Sequence, residues 1–283
     1  MFVLLLVLFF SILALTRPQW GFSWEKIKRQ GLDIVLVVDV SKSMLSQDVK
    51  PNRLERTKLA IRDLLTNLKG DRVGLVAFAG GAIPICPLTV DYGGFVMALN
   101  NLNFDVVSRG GTNLERGIDE AIKGYAQSNR KYKAIIVITD GENWDGDPLK
   151  SAKDAKELGI KIFTIGIGTR EGDLIPVKTE EGDQEFLKDK DGNFVKTHLN
   201  ENLLENIAAI TQGAYVKASG TEFGLNLIYD KYLFGWEKQE FETKLEKKYF
   251  ERFQIPLALA VIFLIFDTIL WIAPGRFMKT KRN

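Results

Sequence analysis

Hydrophobic positions are distributed in two different ways along this chain. At each end lies one unbroken apolar run. Met1–Thr16, MFVLLLVLFFSILALT, carries no charged side chain and stops at Arg17-Pro18. Leu257–Ala273, LALAVIFLIFDTILWIA, carries one charge, Asp267; Ile255-Pro256 opens it, and Pro274-Gly275 with the basic tail Arg276, Lys279, Lys281 and Arg282 closes it. A bilayer core takes about 20 apolar residues in a helix and tolerates about 17. Both runs are therefore read as transmembrane helices (1–16 and 255–273), with Trp20, Trp24 and Trp271 as interfacial aromatics. The first run is an anchor or a secretion signal. The missing basic segment and the poor small-x-small cleavage pattern favour the anchor. Asp267 is costly in lipid and is expected to face protein or reach the interface. Between the domain and the second run, Phe241, Leu245, Tyr249 and Phe253 recur at helical spacing, so 220–254 is predicted to be a juxtamembrane helical segment.

The middle alternates. Ile34–Val38, Val73–Phe78, Ala134–Ile138 and Lys161–Ile165 are short β-branched runs of the kind that suits strands buried on both faces. A further short strand is expected around Ile83–Cys86. Helical spacing predicts helices from Leu54 to Leu68, near Phe95–Leu102, from about Leu114 to Ala126, and one ending at Asp154–Leu158. Strands separated by helices of about 10 to 15 residues indicate an α/β, doubly wound, mostly parallel sheet, here over 31–219. Gly168–Leu199 departs from this pattern. It is polar, with turn signals at Glu181-Gly182 and Asp191-Gly192, and reads as a β-hairpin insertion. Asp189–Asn193 resembles part of a calcium loop, but Leu187 stands where the first EF-hand ligand belongs, so a turn is preferred.

Composition changes this picture little. The 283 residues carry 38 Lys+Arg and 36 Asp+Glu, a net charge of +2, and 46% hydrophobic residues. That balance excludes a disordered chain and gives no support to nucleic-acid binding. A single His and a single Cys exclude a disulfide framework and a Cys/His zinc cage.

The chemistry lies where strands end, the place at which doubly wound sheets bind ligands. The first strand runs into Asp39-Val-Ser41-Lys-Ser43, and the strand 134–138 into Thr139-Asp140-Gly141-Glu142. Between them Ser108-Arg-Gly-Gly-Thr112-Asn113 precedes a helix that Thr112 or Asn113 could cap. Two carboxylates and three hydroxyls form a hard oxygen set suited to Mg²⁺, with Mn²⁺ or Ca²⁺ as alternatives. Such a set under-coordinates an ion and leaves room for a carboxylate from a protein partner.

Asp39-x-Ser41-x-Ser43, Thr112 in its Gly-Gly-Thr loop, and Thr139-Asp140-Gly141 resemble the metal-ion-dependent adhesion site (MIDAS) of von Willebrand factor A (VWA) domains. The resemblance implies a divalent metal, usually Mg²⁺, with Ser41, Ser43 and Thr112 as direct ligands and Asp39 and Asp140 binding partly through water. Three further stretches are similar to the bacterial Bat (aerotolerance operon) membrane proteins: Leu45-x-x-Asp48-Val-x-Pro51-Asn-Arg-Leu-Glu-Arg, Gly70–Ala79 and Cys86-Pro-Leu-Thr-x-Asp-Tyr92. So are Arg17-Pro-Gln and the span that starts at Pro256. This similarity implies an integral protein of the bacterial inner membrane with two spans, working with Bat paralogues and a MoxR-type AAA+ ATPase in envelope or stress-related assembly. Relatives commonly carry sequence before the first run. The positive-inside rule is nearly tied, with the basic tail set against Arg17, Lys26, Lys28 and Arg29, and leaves the side of the domain undecided.

Several residues have ordinary alternatives. Thr112 could be only a helix cap, Glu142 a solvated loop acid, Asp48 a surface acid or a support for the site. His198 is expected to be exposed and idle, and Cys86 a buried apolar residue. No P-loop, G-x-S-x-G or H-E-x-x-H motif is present, so the expectation is a binding module and not an enzyme. The alternative function is a structural envelope scaffold whose metal only stabilises loops.

Overall fold

A computed structural model describes residues 2–26, 31–68, 70–128, 130–178, 184–219, 223–234 and 245–272. The chain divides into two compact units, Arg29–Glu240 and the paired termini Met1–Lys28 with Phe241–Asn283.

The larger unit is built on a six-stranded sheet. In chain order, α1 (Phe2–Leu15) and β1 (Gln19–Lys26) of the other unit precede β2 (Asp33–Asp39), α2 (Arg53–Asn67), β3 (Arg72–Phe78), β4 (Ala82–Thr89), α3 (Tyr92–Asn100), α4 (Leu114–Lys123), β5 (Lys133–Thr139), α5 (Pro148–Glu157) and β6 (Ile160–Gly166). After an insertion come α6 (Glu201–Ile210), β11 (Tyr215–Lys217) and α7 (Leu225–Ile228), which continues as a π-helical turn through Tyr229–Leu233. The sheet order is β11-β6-β5-β2-β3-β4. All neighbours are parallel except β4, which runs antiparallel to β3. The α/β reading of the middle of the chain is thus observed.

Period-two alternation explains why the strands are apolar throughout. Ile34, Leu36 and Val38 pack into one core with Leu54, Ile61 and Leu64 of α2, Phe95 of α3 and Leu225 of α7. Val35 and Val37 point the other way, into a core with Leu114 and Ile118 of α4, Ala152 of α5 and Leu204 of α6. Each of these strand residues is at most 2% exposed, so polar alternation has no face to occupy. β4 ends the sheet. Its Pro84 and Pro87 lack N–H donors, which suits an edge and discourages pairing with another chain.

Boundaries moved for identifiable reasons. α3 starts at Tyr92, because the Asp91 side chain caps it by accepting the Gly94 N–H; Gly93 and Gly94 had masked this turn. α2 likewise starts one residue early, at Arg53, capped by Asn52. The expected domain end at 219 is too early. Leu225, Ile228, Tyr229 and Leu233 are buried in the first core and belong to the same unit.

The insertion holds β7 (Asp173–Leu174), β8 (Pro176–Lys178), β9 (Gln184–Phe186) and β10 (Lys196–Thr197). β7 pairs with β10 and β8 with β9, all antiparallel, and Lys188 bridges Phe194. The Asp189 carboxylate accepts the N–H groups of Asp191 and Asn193, a turn and not a calcium loop. The turn expected at Glu181-Gly182 lies outside the described residues, as do Phe241 and the basic tail 274–283.

In the terminal unit, β12 (Leu245–Glu251) pairs antiparallel with β1, and α8 (Gln254–Ile272) follows. This corrects the juxtamembrane helix expected over 220–254: its 245–251 stretch is a strand. The i, i+4 spacing of Leu245 and Tyr249 competes with a backbone that finds a ladder on β1, interrupted only between Gln19 and Phe22, and aromatic residues favour strands. Phe10 of α1 stacks on Phe263 of α8, ring centroids 5.6 Å apart. Among the described residues, no helix is long and apolar enough to cross a membrane. α1 has 14 residues and α8 has 19. At 1.5 Å per residue these span about 21 and 28 Å, against a hydrocarbon core of about 30 Å.

Candidate functional site

The chain leaves β2 outward to β3 and β4, then crosses back to β5 on the other side of β2. The strand order therefore reverses between β2 and β5, and the crevice beyond their carboxyl ends is the place for a ligand. Asp39 is the last residue of β2. Asp140 follows the last residue of β5. Both are 0% exposed.

The Asp39 carboxylate accepts the Ser41 N–H at 2.8 Å and the Thr139 hydroxyl at 2.6 Å. Ser41 and Ser43 share a hydroxyl hydrogen bond of 2.9 Å. Asp140 Oδ1 accepts the Glu142 N–H at 3.1 Å. Its Oδ2 accepts Arg53 Nη1 at 3.0 Å and the Thr197 hydroxyl at 2.9 Å. Arg53 is fully buried and also clamps Asp48 with Nε and Nη2, at 2.9 and 2.7 Å.

Thr112 is buried and lines the same cavity, of about 480 Å³, as Ser41, Ser43, Glu142, Trp144 and Val195. Two glycines let its loop approach. A Cβ on Gly80 would lie 2.0 Å from the Gly110 carbonyl oxygen, and Gly111 has φ +95°, a conformation glycine adopts freely. The cap of α4 is Asn113, whose side chain accepts the Arg116 N–H; Thr112 is not the cap. The structure thus brings Ser41, Ser43 and Thr112 to one cavity and sets Asp39 and Asp140 at adjacent strand ends.

Electrostatics single out Asp39. Burial, reinforced by the Asp140 charge, pushes it from 3.8 up to about 7, despite the opposing bonds from Ser41 and Thr139. Burial and Asp140 also raise Glu142, against the His198 N–H it accepts at 2.8 Å. Burial alone would raise Asp48, but Arg53 more than offsets it and holds that carboxyl low. Asp39, Asp48 and Asp140 against one guanidinium leave two uncompensated negative charges when all are ionised. That deficit, beside three hydroxyls, fits a hard divalent cation. Among the described residues no cluster of three or more His, Cys, Asp or Glu could hold a metal; three of the five groups in this oxygen set are hydroxyls.

Arg53, Thr139 and Thr197 were missed as site residues. Arg53 and Thr139 stood inside stretches already singled out, yet an arginine opening a helix reads as solvated, and only the fold brings Asp140 against it. Thr197 carried no signal, since it reaches Asp140 across 57 residues. His198 is exposed, as expected; its backbone, not its ring, contacts Glu142. Cys86 is half-buried on the edge strand.

The von Willebrand factor type A domain family matches residues 34–142. Three solved structures are similar. BatB from Bacteroides thetaiotaomicron is 35% identical with TM-score 0.67, covering 76% of this chain and 100% of that one. An aerotolerance-related membrane protein from Bacteroides fragilis is 32% identical with TM-score 0.66, again covering 76% of this chain and 100% of that one. The proximal thread matrix protein of the mussel byssus, with a zinc-occupied MIDAS motif, is 18% identical with TM-score 0.53 over 82% of this chain and 50% of that one, a likeness of fold. At 35% and 32% identity over 76% of this chain and the whole of two such structures, the chain belongs to the BatB-like, aerotolerance-related family of von Willebrand factor A proteins.

Proposed function

We propose that the chain is a membrane-anchored VWA module that captures a protein partner through a divalent ion held by Asp39, Ser41, Ser43, Thr112 and Asp140. The observation that carries this reading is the buried Asp39–Asp140 pair at the strand-order reversal, short of positive charge and next to a cavity lined by three hydroxyls. The ion would supply a Lewis-acidic position for a carboxylate of the partner. The mussel protein, whose motif holds zinc, is in keeping with a divalent ion; Mg²⁺ is the expected one here, with Mn²⁺ and Ca²⁺ as alternatives. Ser41 N–H and the Thr139 hydroxyl hold Asp39, and Arg53 and Thr197 hold Asp140, so the acids are oriented before any ion arrives. No reaction is assigned.

Anchoring is supported by the terminal helices. Phe2, Leu5, Leu8 and Phe9 of α1, and Val261, Ile262, Ile265 and Phe266 of α8, are each about half exposed or more. Apolar surface of that extent marks contact with lipid or protein. The proposed setting is the bacterial inner membrane, with two spans, membrane lipid around them, and Bat paralogues and a MoxR-type AAA+ ATPase as partners.

The test is capture of a co-expressed Bat paralogue by the full chain in detergent, in Mg²⁺ and in chelator, beside Asp39→Ala. Capture is expected only in wild type with Mg²⁺. Equal capture in chelator and by the variant overturns the reading. One observation favours the scaffold alternative: Asp140 also ties the insertion through Thr197. Under that alternative Asp140→Ala lowers the melting temperature and leaves capture intact.

A further inference from the structure

Asp140 is not held by its own loop alone. Its Oδ2 is taken by two donors, Arg53 Nη1 at 3.0 Å and the Thr197 hydroxyl at 2.9 Å. The same Nη1 donates to Thr197 Oγ1 at 3.0 Å. On its far side Arg53 is clamped in two places by Asp48, and Asp48 Oδ2 accepts the Thr169 N–H at 3.1 Å. Thr169 stands at the start of the 168–199 insertion and Thr197 near its end. Both ends of the insertion therefore close on one buried chain of groups, Asp48–Arg53–Asp140. The arginine is 0% exposed and the Asp48 side chain 7%. Neighbouring loops follow the same plan: the Asp173 carboxylate accepts the Ser46 hydroxyl and the Gln47 N–H, both at 3.2 Å.

We propose that Arg53 is a positioning residue that couples metal binding at Asp140 to the anchoring of the two ends of the insertion, at Thr169 and Thr197. This rests on the metal reading of the site. With Oδ2 accepting from Arg53 and Thr197 and Oδ1 from the Glu142 N–H, the orientation of Asp140 is fixed before any ion would bind. Asp48 offsets the Arg53 charge, so that the charges of Asp39 and Asp140 are left for the ion. Remove Asp48 and the guanidinium draws on Asp140 alone, leaving one negative charge in place of two. Replace Arg53 by lysine and a single ammonium cannot serve Asp48 in two places and Asp140 at once. The insertion supplies one wall of the cavity through Ile175, Leu187 and Val195, so its anchoring shapes the surface that a partner meets.

The experiment uses the full chain in detergent with Mn²⁺ as probe. Mn²⁺ affinity is read by calorimetry, and amide exchange is followed across 168–199 with and without the ion. In wild type, Mn²⁺ is expected to slow exchange at Thr169 and around Thr197. Arg53→Lys and Asp48→Asn are expected to weaken Mn²⁺ binding about tenfold or more, the usual effect of removing a group that orients a metal ligand, and to abolish that slowing. Thr197→Val tests the same link should Arg53→Lys fail to fold, and loss of the slowing is again expected. Arg170→Ala, which breaks an exposed pair with Glu201, should change neither readout. Affinity and slowing retained in Arg53→Lys and Asp48→Asn overturn the proposal while leaving the metal reading in place. Equal weakening by Arg170→Ala also overturns it. Absence of Mn²⁺ binding by wild type overturns the metal reading, and this proposal with it.

Discussion

The two ends of β2 carry the same residue in opposite circumstances. Asp33 opens the strand and Asp39 closes it, and each is 0% exposed. Arg72 clamps Asp33 in two places, at 2.7 and 2.6 Å; Arg130 lies 3.5 Å away and the Ser128 hydroxyl donates to the same carboxylate. Asp39 has a backbone amide and one hydroxyl, with a second carboxylate as its charged neighbour. The first end is electrically closed and reads as structure. The second is short of positive charge and reads as a site. Burial does not separate the two; compensation does.

The sharpest way to break this comparison is to remove both acids in the metal-free protein at neutral pH. Asp33→Ala should destabilise by about 3 kcal/mol, because it orphans the guanidinium groups held there. Asp39→Asn should be neutral or stabilising, because it relieves the repulsion from Asp140. Urea unfolding measures both, and an equal loss of stability in the two variants would remove the distinction.

Adding the missing charge is next in size. At a concentration about 100 times its dissociation constant, a divalent ion should raise stability by about 2.7 kcal/mol. Wild type and Asp33→Ala should gain alike, and Asp39→Asn should gain nothing. A rise in melting temperature in Asp39→Asn as large as that in wild type would show the ion acting elsewhere.

Much of this contrast was legible in the sequence, and the reasons differ by residue. Asp39, Ser41 and Ser43 lie within five positions at the end of an apolar run, so spacing alone brought them together. Thr112 and Asp140 needed the parallel α/β pattern, which the runs at 34–38, 73–78, 134–138 and 161–165 made plain because both strand faces are buried. Arg53 could not be read this way, since its burial depends on Asp48 in one loop and Asp140 across 87 residues. The strand at 245–251 was read as helix because its partner, 19–26, lies more than 200 residues away, and local spacing carries no trace of that pairing.

The pH response should also separate the two ends. Folding raises Asp39 from 3.8 to about 7. Between those values the native state binds more protons than the unfolded one, so stability falls as pH rises through that window and levels off above about 7. Melting temperatures of metal-free wild type and Asp39→Asn, followed from pH 4 to pH 8, would show it. The variant should lose this decline, and a decline of equal size in both would assign it to another group.

The smallest expected effect concerns Thr139, which donates its hydroxyl to Asp39 at 2.6 Å from the neighbouring strand. Thr139→Val keeps the shape and removes the donor. A buried acceptor that loses a donor costs about 1 kcal/mol or somewhat more, but Asp39 has a second way out. Losing a bond that favours its charged form, it can take up a proton. The cost should therefore be smaller at pH 5, where Asp39 is already largely protonated, than at pH 8. Ser128→Ala at the other end should show no such difference over that range, because the two-point clamp of Arg72 on Asp33 remains whether or not the hydroxyl is present. A Thr139→Val penalty that is the same at both pH values would mean that Asp39 stays ionised in its pocket, and the contrast between the two ends of the strand would then lie in geometry alone.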